Sequence, residues 1–284
     1  MTVLEVIQRS TEFLTRKGVE SPRLQIELLL AHVLQMPRLK LYLSFERVLT
    51  ATELDHVREL VKRRGNREPL QHLIGTVSFC GYELRVNPDV LIPRPETEVL
   101  AEQAWQWLAG RPAESSAVLD LGTGSGCLAV AITARCAHAR ATAVDISEAA
   151  LAIARANAVR HGVAERIAFV CGDWCATLAP DSRFDLIVSN PPYIPTGDLR
   201  QLEPEVRDHD PRAALDGGAD GLDFVRRLAS EAPPFLAPDG RLLFECGDGQ
   251  ADAASRIMAS AGWVVERVVR DYRERPRILV ARRP

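Results

Sequence analysis

Val118-Leu119-Asp120-Leu121-Gly122-Thr123-Gly124-Ser125-Gly126 is an apolar strand running straight into alternating glycines, and an apolar helical pattern follows at once. Glycines at such a turn permit positive φ and let the backbone approach a ligand with no Cβ in the way. The amides that open the next helix can then face a polar or anionic group. Outward from this stretch, apolar runs at 117–121, 141–144, 167–171, 184–189 and 241–245 read as buried parallel strands. Helical patterns at 96–109, 126–136, 147–161 and 219–236 fall between them, and two short strands, 263–269 and 277–281, close the chain. Five alternating units and two late strands predict an α/β doubly wound, Rossmann-like sheet of seven strands.

The first 75 residues read differently. Thr2 with Glu5 and Thr50 with Glu53 form capping boxes, and Leu4, Ile7, Phe13 and Leu14 approximate one helical face. Gly18 ends the first helix, Ser21-Pro22 forms an N-cap and N1 pair, and Pro37 closes the apolar segment Leu24 to Leu34. Val77, Phe79, Tyr82, Leu84 and Val86 around Gly81 predict a β-hairpin. Prolines at 93 and 95 deny helix to Leu91-Ile92-Pro93-Arg94-Pro95 until Glu96. The expected organisation is a small helical bundle over 1–75, a hairpin linker over 76–93 and the α/β domain over 94–284.

The chain has 284 residues, of which 46% are hydrophobic, so it can bury a core in each domain. It shows no apolar run of membrane-spanning length and no basic segment followed by an apolar stretch at its start, so the expected compartment is the cytoplasm. Net charge is −3; residues 1–75 carry 12 Lys+Arg against 9 Asp+Glu. This balance argues against duplex nucleic acid as the main partner. The six cysteines lack a CxxC pair or zinc-ligand spacing, which points to reduced thiols and no metal.

A strand–glycine–helix loop serves both dinucleotides and S-adenosylmethionine. Here the pattern is GxGxG, and the dinucleotide fingerprint would need glycine where Cys127 stands. Asp120 puts an acid where the cationic methionine end of S-adenosylmethionine would lie. Asp145 ends the next strand, placed to accept from both ribose hydroxyls, although an acid there can also be an ordinary helix cap shared with Ser147. In Cys171-Gly172-Asp173-Trp174, Trp174 offers a flat surface to an adenine and Asp173 an acceptor for its amine; a buried core tryptophan is the competing reading. The expected cofactor contacts are Gly122, Thr123, Gly124, Ser125, Gly126, Asp145 and Trp174.

Asn190-Pro191-Pro192-Tyr193 follows the fourth strand directly. In an open α/β sheet, ligands sit beyond the carboxyl ends of the strands, so this run should border the cofactor's methyl group. An amide or aniline-like nitrogen is a poor nucleophile because its lone pair is delocalised, and its N–H is too weak an acid for a base to help. Accepting hydrogen bonds from both N–H groups draws density onto nitrogen and aims its lone pair. The Asn190 side-chain oxygen can take one and the Pro191 carbonyl the other, its direction fixed by two consecutive prolines. Tyr193 supplies an aromatic face for a planar group.

Asn-Pro-Pro-Tyr in this setting resembles the N-methyltransferases of exocyclic or amide nitrogens, whose substrates include adenine in DNA, guanine in ribosomal RNA and glutamine in protein. Glu68-Pro69-Leu70-Gln71-His72-Leu73-Ile74-Gly75 and Leu91-Ile92-Pro93-Arg94-Pro95-Glu96-Thr97-Glu98 resemble the peptide chain release factor glutamine methyltransferases. So do Ser21-Pro22-Arg23-Leu24, Leu202-Glu203-Pro204-Glu205-Val206, Asp216-Gly217-Gly218-Ala219-Asp220-Gly221-Leu222, and Glu245-Cys246-Gly247 with Gln250. The chain departs at His209-Asp210-Pro211, where the family has aromatic-Glu-Pro, and at Asp271 to Arg275, which lacks a glycine. The resemblance implies a class I S-adenosylmethionine-dependent methyltransferase fold. It implies an acceptor glutamine in the Gly-Gly-Gln loop of class I release factors, a release-factor-binding helical domain and a monomer. By the same resemblance, Asn190 would join Gly122 to Gly126, Asp145 and Trp174 as a cofactor contact; Asn190, Pro191 and Tyr193 would be catalytic, and Asn190 to Tyr193, Pro192 included, would hold the glutamine. A nucleic-acid N-methyltransferase is the alternative.

Overall fold

The computed structural model describes residues 1–111 and 115–284. In chain order the elements are α1 (Val3–Arg16), α2 (Pro22–Val33), α3 (Arg38–Leu41), α4 (Ala51–Gly65) and α5 (Leu70–Ile74), then β1 (Thr76–Phe79), β2 (Tyr82–Arg85) and α6 (Pro95–Ala109). There follow β3 (Ser116–Leu121), α7 (Cys127–Arg135), β4 (Ala139–Asp145), α8 (Glu148–Arg160), β5 (Ile167–Cys171), β6 (Phe184–Ser189) and α9 (Pro204–Arg207). The last are α10 (Asp223–Glu231), β7 (Leu236–Glu245), α11 (Ala251–Ser260), β8 (Val264–Arg270) and β9 (Pro276–Arg282). They form two compact units, one of Met1–Thr76 with Glu203–His209, the other of Val77–Leu202 with Asp210–Pro284.

In the helical unit both capping boxes form: each threonine hydroxyl accepts from the N3 amide at 3.2 Å, and each glutamate returns to the N-cap amide at 2.9 Å. The buried stripe of α1 is Val3, Val6, Ile7 and Leu14. It turns slightly from the face expected, because Leu4 is only half-buried while Val3 and Val6 point into the core. Ser21 precedes Pro22 in left-handed backbone (φ 47°) and makes no side-chain cap, so Pro22 alone starts α2. Glu27 is buried on α2, where Arg23, Arg38 and the Tyr42 hydroxyl all donate to its carboxylate. Segment 203–209 is fastened here by charge: Arg67 grips Glu205 with two bonds of 2.6 Å, and Arg64, itself buried, adds a third at 2.7 Å.

The larger unit holds the predicted sheet, in the order β5-β4-β3-β6-β7-β9-β8. The first five strands named in that order pair in parallel, and β9 runs antiparallel to both β7 and β8. Helices cover both faces, so β3 and β6 are buried along most of their length and two cores form, one on each side. Register aligns the carboxyl ends: Leu121 pairs with Val144 on one side and Ser189 on the other, and Ser189 pairs with Phe244. The β1–β2 hairpin packs Phe79 and Leu84 into the core beneath α6, so it belongs with this unit. The helix expected over 219–236 shrinks to α10, bounded by Gly221 at φ 75° and by Pro233-Pro234.

Glu205→Ala leaves Arg64 buried without its carboxylate. The loss of stability should be on the order of 3 kcal/mol, seen as a lower urea midpoint in the transition reported by the helical unit.

Candidate active site

The glycine loop turns off the end of β3 with Gly122, Gly124 and Gly126 all at positive φ. Gly126 must lack a side chain for a second reason, because a Cβ there would sit 2.9 Å from that of Ala154 on α8. The Gly122 and Thr123 amides donate to the Val144 carbonyl at 2.9 and 3.0 Å, and Asn157 of α8 donates to the Ser125 carbonyl at 2.9 Å. Beneath the loop Asp120 is fully buried. Its Oδ2 accepts from the Thr123 hydroxyl at 2.7 Å and the Ala129 amide at 3.2 Å, while Oδ1 has no partner among the described residues. Burial, reinforced by the charge of Asp145, raises the Asp120 carboxyl to about 7.

Asp145 ends β4 and takes one backbone amide on each oxygen, Gly124 at 2.8 Å and Ser147 at 2.9 Å. Capping of α8 falls to Ser147, whose hydroxyl accepts from Ala150. Asp145 is thus held by the loop with lone pairs to spare. Ile146, which the sequence reading passed over, stands 67% exposed beside it. An apolar side chain kept in solvent next to a glycine loop is a signal that could have been read.

Trp174 lies in the second core, only 9% exposed, stacked on Phe224 with centroids 5.1 Å apart. The Arg227 guanidinium lies 5.2 Å from its ring and pairs with Asp173 at 3.0 Å. One indole face is therefore already used by the protein, as the buried-core reading expected.

Beyond β6, the Ser189 hydroxyl donates to the Leu121 carbonyl at 2.7 Å, clamping the start of the Asn-Pro-Pro-Tyr run to the start of the glycine loop. The Asn190 Nδ2 donates to the Thr97 hydroxyl at 2.9 Å, and the Thr97 hydroxyl donates to Glu245 Oε2 at 2.8 Å. Glu245 Oε1 accepts from the Tyr193 hydroxyl at 3.2 Å. Asn190 Oδ1 is buried with no partner, and among the described residues no backbone amide donates to the Pro191 carbonyl.

Two of the other family-like segments, 216–222 and 245–250, are brought to this loop. Gln250 Nε2 donates to the Tyr193 carbonyl at 2.9 Å while its Oε1 accepts from Gly247. Gly217 and Gly221 lie so close under Pro192 and Tyr193 that a Cβ on either would overlap the backbone there. Asp210, at the point where the sequence departs from the family pattern, accepts from Arg94 at 2.5 Å. Glu245 is completely buried, and burial, with Glu96 adding to it and Thr97, Arg277 and Tyr193 opposing, pushes its carboxyl up to about 7. Asn190 Oδ1 thus lies on the same sheet edge as the positive-φ glycine loop and two buried acids, Asp120 and Glu245.

Residues 5–75 match the PrmC N-terminal domain model and residues 99–202 the methyltransferase small domain model. The chain is 47% identical to the release factor glutamine methyltransferase of Geobacter sulfurreducens over 92% of this chain and 90% of that protein. It is 42% identical to that of Chlorobaculum tepidum, over 95% and 94%. Among solved structures, the ribosomal protein L11 methylase of Lactobacillus delbrueckii subsp. bulgaricus shares the fold. Its TM-score is 0.50 at 22% identity, covering 67% of this chain and 80% of that one. A methyltransferase of Pyrococcus furiosus does so at TM-score 0.51 and 18% identity, over 71% and 88%.

The burial of Glu245 has a measurable sign. Its folded value, about 7, lies above the ordinary glutamate value near ~4.3. Its contribution to stability is thus fully present below that ordinary value and lost as pH rises through about 7. From pH 5 to pH 8, Glu245→Gln should therefore gain on wild type by on the order of a few kcal/mol. Denaturant midpoints of the two proteins at both pH values provide the check; a difference that stays constant would rule the shift out.

Proposed function

The chain belongs to the release factor glutamine methyltransferases, and from that premise we propose how its residues carry a methyl group from S-adenosylmethionine to the side-chain amide nitrogen of a release factor glutamine. The acceptor we assign is the glutamine of the Gly-Gly-Gln loop of class I release factors, methylated on N5 in the cytoplasm by a monomeric enzyme. The helical residues 1–75 make the contact with the release factor, 76–93 form the hairpin that links, and 94–284 carry the chemistry.

When bound, S-adenosylmethionine would supply a sulfonium methyl: the methyl–sulfur bond breaks as the nitrogen–methyl bond forms, its electron pair stays on sulfur in S-adenosylhomocysteine, and the methylated nitrogen, now acidic, releases one proton to water. The residues present fit it: a cradle of positive-φ glycines, an acid with a free buried oxygen in Asp120, and a loop-held carboxylate in Asp145. Gly122 to Gly126 and Asp145 hold its methionine and ribose portions. Ile146 gives the adenine an apolar surface, and Trp174, with one face on Phe224, lines that end of the pocket from the core.

One observation carries the acceptor chemistry. The Asn190 amide spends its N–H on Thr97 and keeps a buried oxygen without a partner. A buried acceptor left unmet costs about 1–3 kcal/mol, and a primary amide N–H repays it. With the Pro191 carbonyl taking the second N–H, both protons of the glutamine NH2 are held in the amide plane. The nitrogen lone pair, which lies out of that plane, then faces the methyl group. The proline at 191 has no N–H to compete, and Tyr193 packs its ring on the planar group.

The deciding experiment is transfer of labelled methyl to purified release factor. Incorporation should disappear when the acceptor glutamine is replaced, and labelling of DNA or ribosomal RNA instead would sink the assignment. Asn190→Ala should lower the transfer rate by on the order of 10²–10³-fold. Cofactor affinity in calorimetry should stay within a few-fold, because the cradle and Asp145 are untouched. Near-normal turnover by that variant would refute the acceptor role.

A further inference from the structure

Two arms of the site end on one carboxylate. Asn190 reaches Glu245 through Thr97, and Tyr193 reaches it directly. An ionised carboxylate only accepts, and a threonine hydroxyl has one proton to give. With Glu245 ionised, that proton is committed to Oε2, so the Thr97 oxygen faces Asn190 as an acceptor. The asparagine must then turn its NH2 toward Thr97 and its oxygen the other way. The direction of the amide, otherwise two-fold ambiguous, is dictated by a residue that touches no substrate.

We propose that Glu245 and Thr97 are positioning residues that fix which atom of the Asn190 amide meets the acceptor NH2, with Glu245 also setting the Tyr193 ring. The proposal rests on the methyl-transfer reading above. If Glu245 takes a proton, its O–H can donate to Thr97, whose own proton is then free for Asn190 Oδ1. The amide can turn over and offer NH2 to an incoming NH2, donor against donor, which is the wrong polarity for transfer. Glu245 is faced by Glu96 and Thr97 from α6, Tyr193 beyond β6 and Arg277 from β9, with Arg94 also near Tyr193. The Arg277 guanidinium, 5.8 Å from the Tyr193 ring, favours the ionised form, and burial together with Glu96 opposes it, so the switch falls at about 7.

Thr97→Val removes the hydroxyl at nearly constant volume, and Thr97→Ser keeps it. With release factor as acceptor and S-adenosylmethionine saturating, so that titration of Asp120 does not enter through cofactor binding, Thr97→Val should lower kcat by on the order of 10- to 100-fold. KM and the cofactor Kd should stay within a few-fold, and Thr97→Ser should restore most of the rate. Wild-type kcat should fall as pH drops through about 7, and Thr97→Ser should keep that limb while Glu245→Gln loses it.

A second readout needs no acceptor. In the 15N spectrum of the free enzyme, the Asn190 side-chain amide should show one hydrogen-bonded proton whose shift titrates at about 7, and Thr97→Val should abolish that titration. Equal loss in Thr97→Ser and Thr97→Val would mean packing rather than the hydroxyl, and would overturn the proposal. So would a wild-type kcat flat from pH 6 to 8, whether or not any variant folds. A wild type that fails to methylate release factor while its Asn190 signal titrates as described condemns the acceptor assignment and supports the relay.

Discussion

Strand β3 has its chain neighbour β4 on one side and β6, which arrives only after β5, on the other. That reversal is the constraint on which the site depends. Connections leaving the carboxyl ends of β3 and β6 must diverge to opposite faces, and a crevice is left between them. Parallel register then brings four chemically different ends into line: the glycine loop after Leu121, Asp145 after Val144, Asn190 after Ser189, and Glu245 after Phe244. The Ser189–Leu121 bond closes the crevice floor, so the cradle and the Asn-Pro-Pro-Tyr run are parts of one rigid edge.

On that edge the protein stores unfavourable terms that a fold alone would not keep. Asp120 and Glu245 are fully buried carboxyls, each with its proton affinity raised by burial, and Asp120 Oδ1 and Asn190 Oδ1 are buried without partners. The two unpartnered oxygens oppose folding, and each becomes favourable only when a complementary donor or cation arrives. The glycines at 217 and 221 follow the same logic. They let a second loop press against Pro192 and Tyr193, and with Gln250 on the Tyr193 carbonyl they fix the direction of the backbone that presents the Pro191 oxygen.

The parts legible in the sequence were those governed by local rules. Apolar runs marked β5 and β6 to the residue, the threonine–glutamate pairs marked two helix starts, and the strand–glycine–helix junction marked the cradle. What stayed hidden depends on contacts between distant positions. Thr97 and Glu245 stood inside stretches quoted for their likeness to the family, yet no spacing connects α6 to the end of β7. Their roles appear only when the sheet sets them 2.8 Å apart. Trp174 illustrates the reverse: its place after a third strand is correct, but Phe224, far along the chain, had already claimed one face of the ring. Ser21 fits the cap pattern by residue type and fails by conformation, since a left-handed backbone carries its hydroxyl away from the amides it would cap.

The geometry also separates what selects the reaction from what selects the substrate. On the reading proposed above, the Asn190 and Pro191 oxygens suit any planar NH2, whether on a base or on a side-chain amide. Nothing in Asn190 or Pro191 distinguishes them. Discrimination has to come from the part of the acceptor that lies outside the plane, and hence from segments with no chemical role. The chain supplies a helical unit with its own core, and that unit includes Glu203–His209, a segment that follows the Asn-Pro-Pro-Tyr loop and is bolted by three arginine bonds to Glu205. The same stretch of backbone therefore serves two folding units in quick succession.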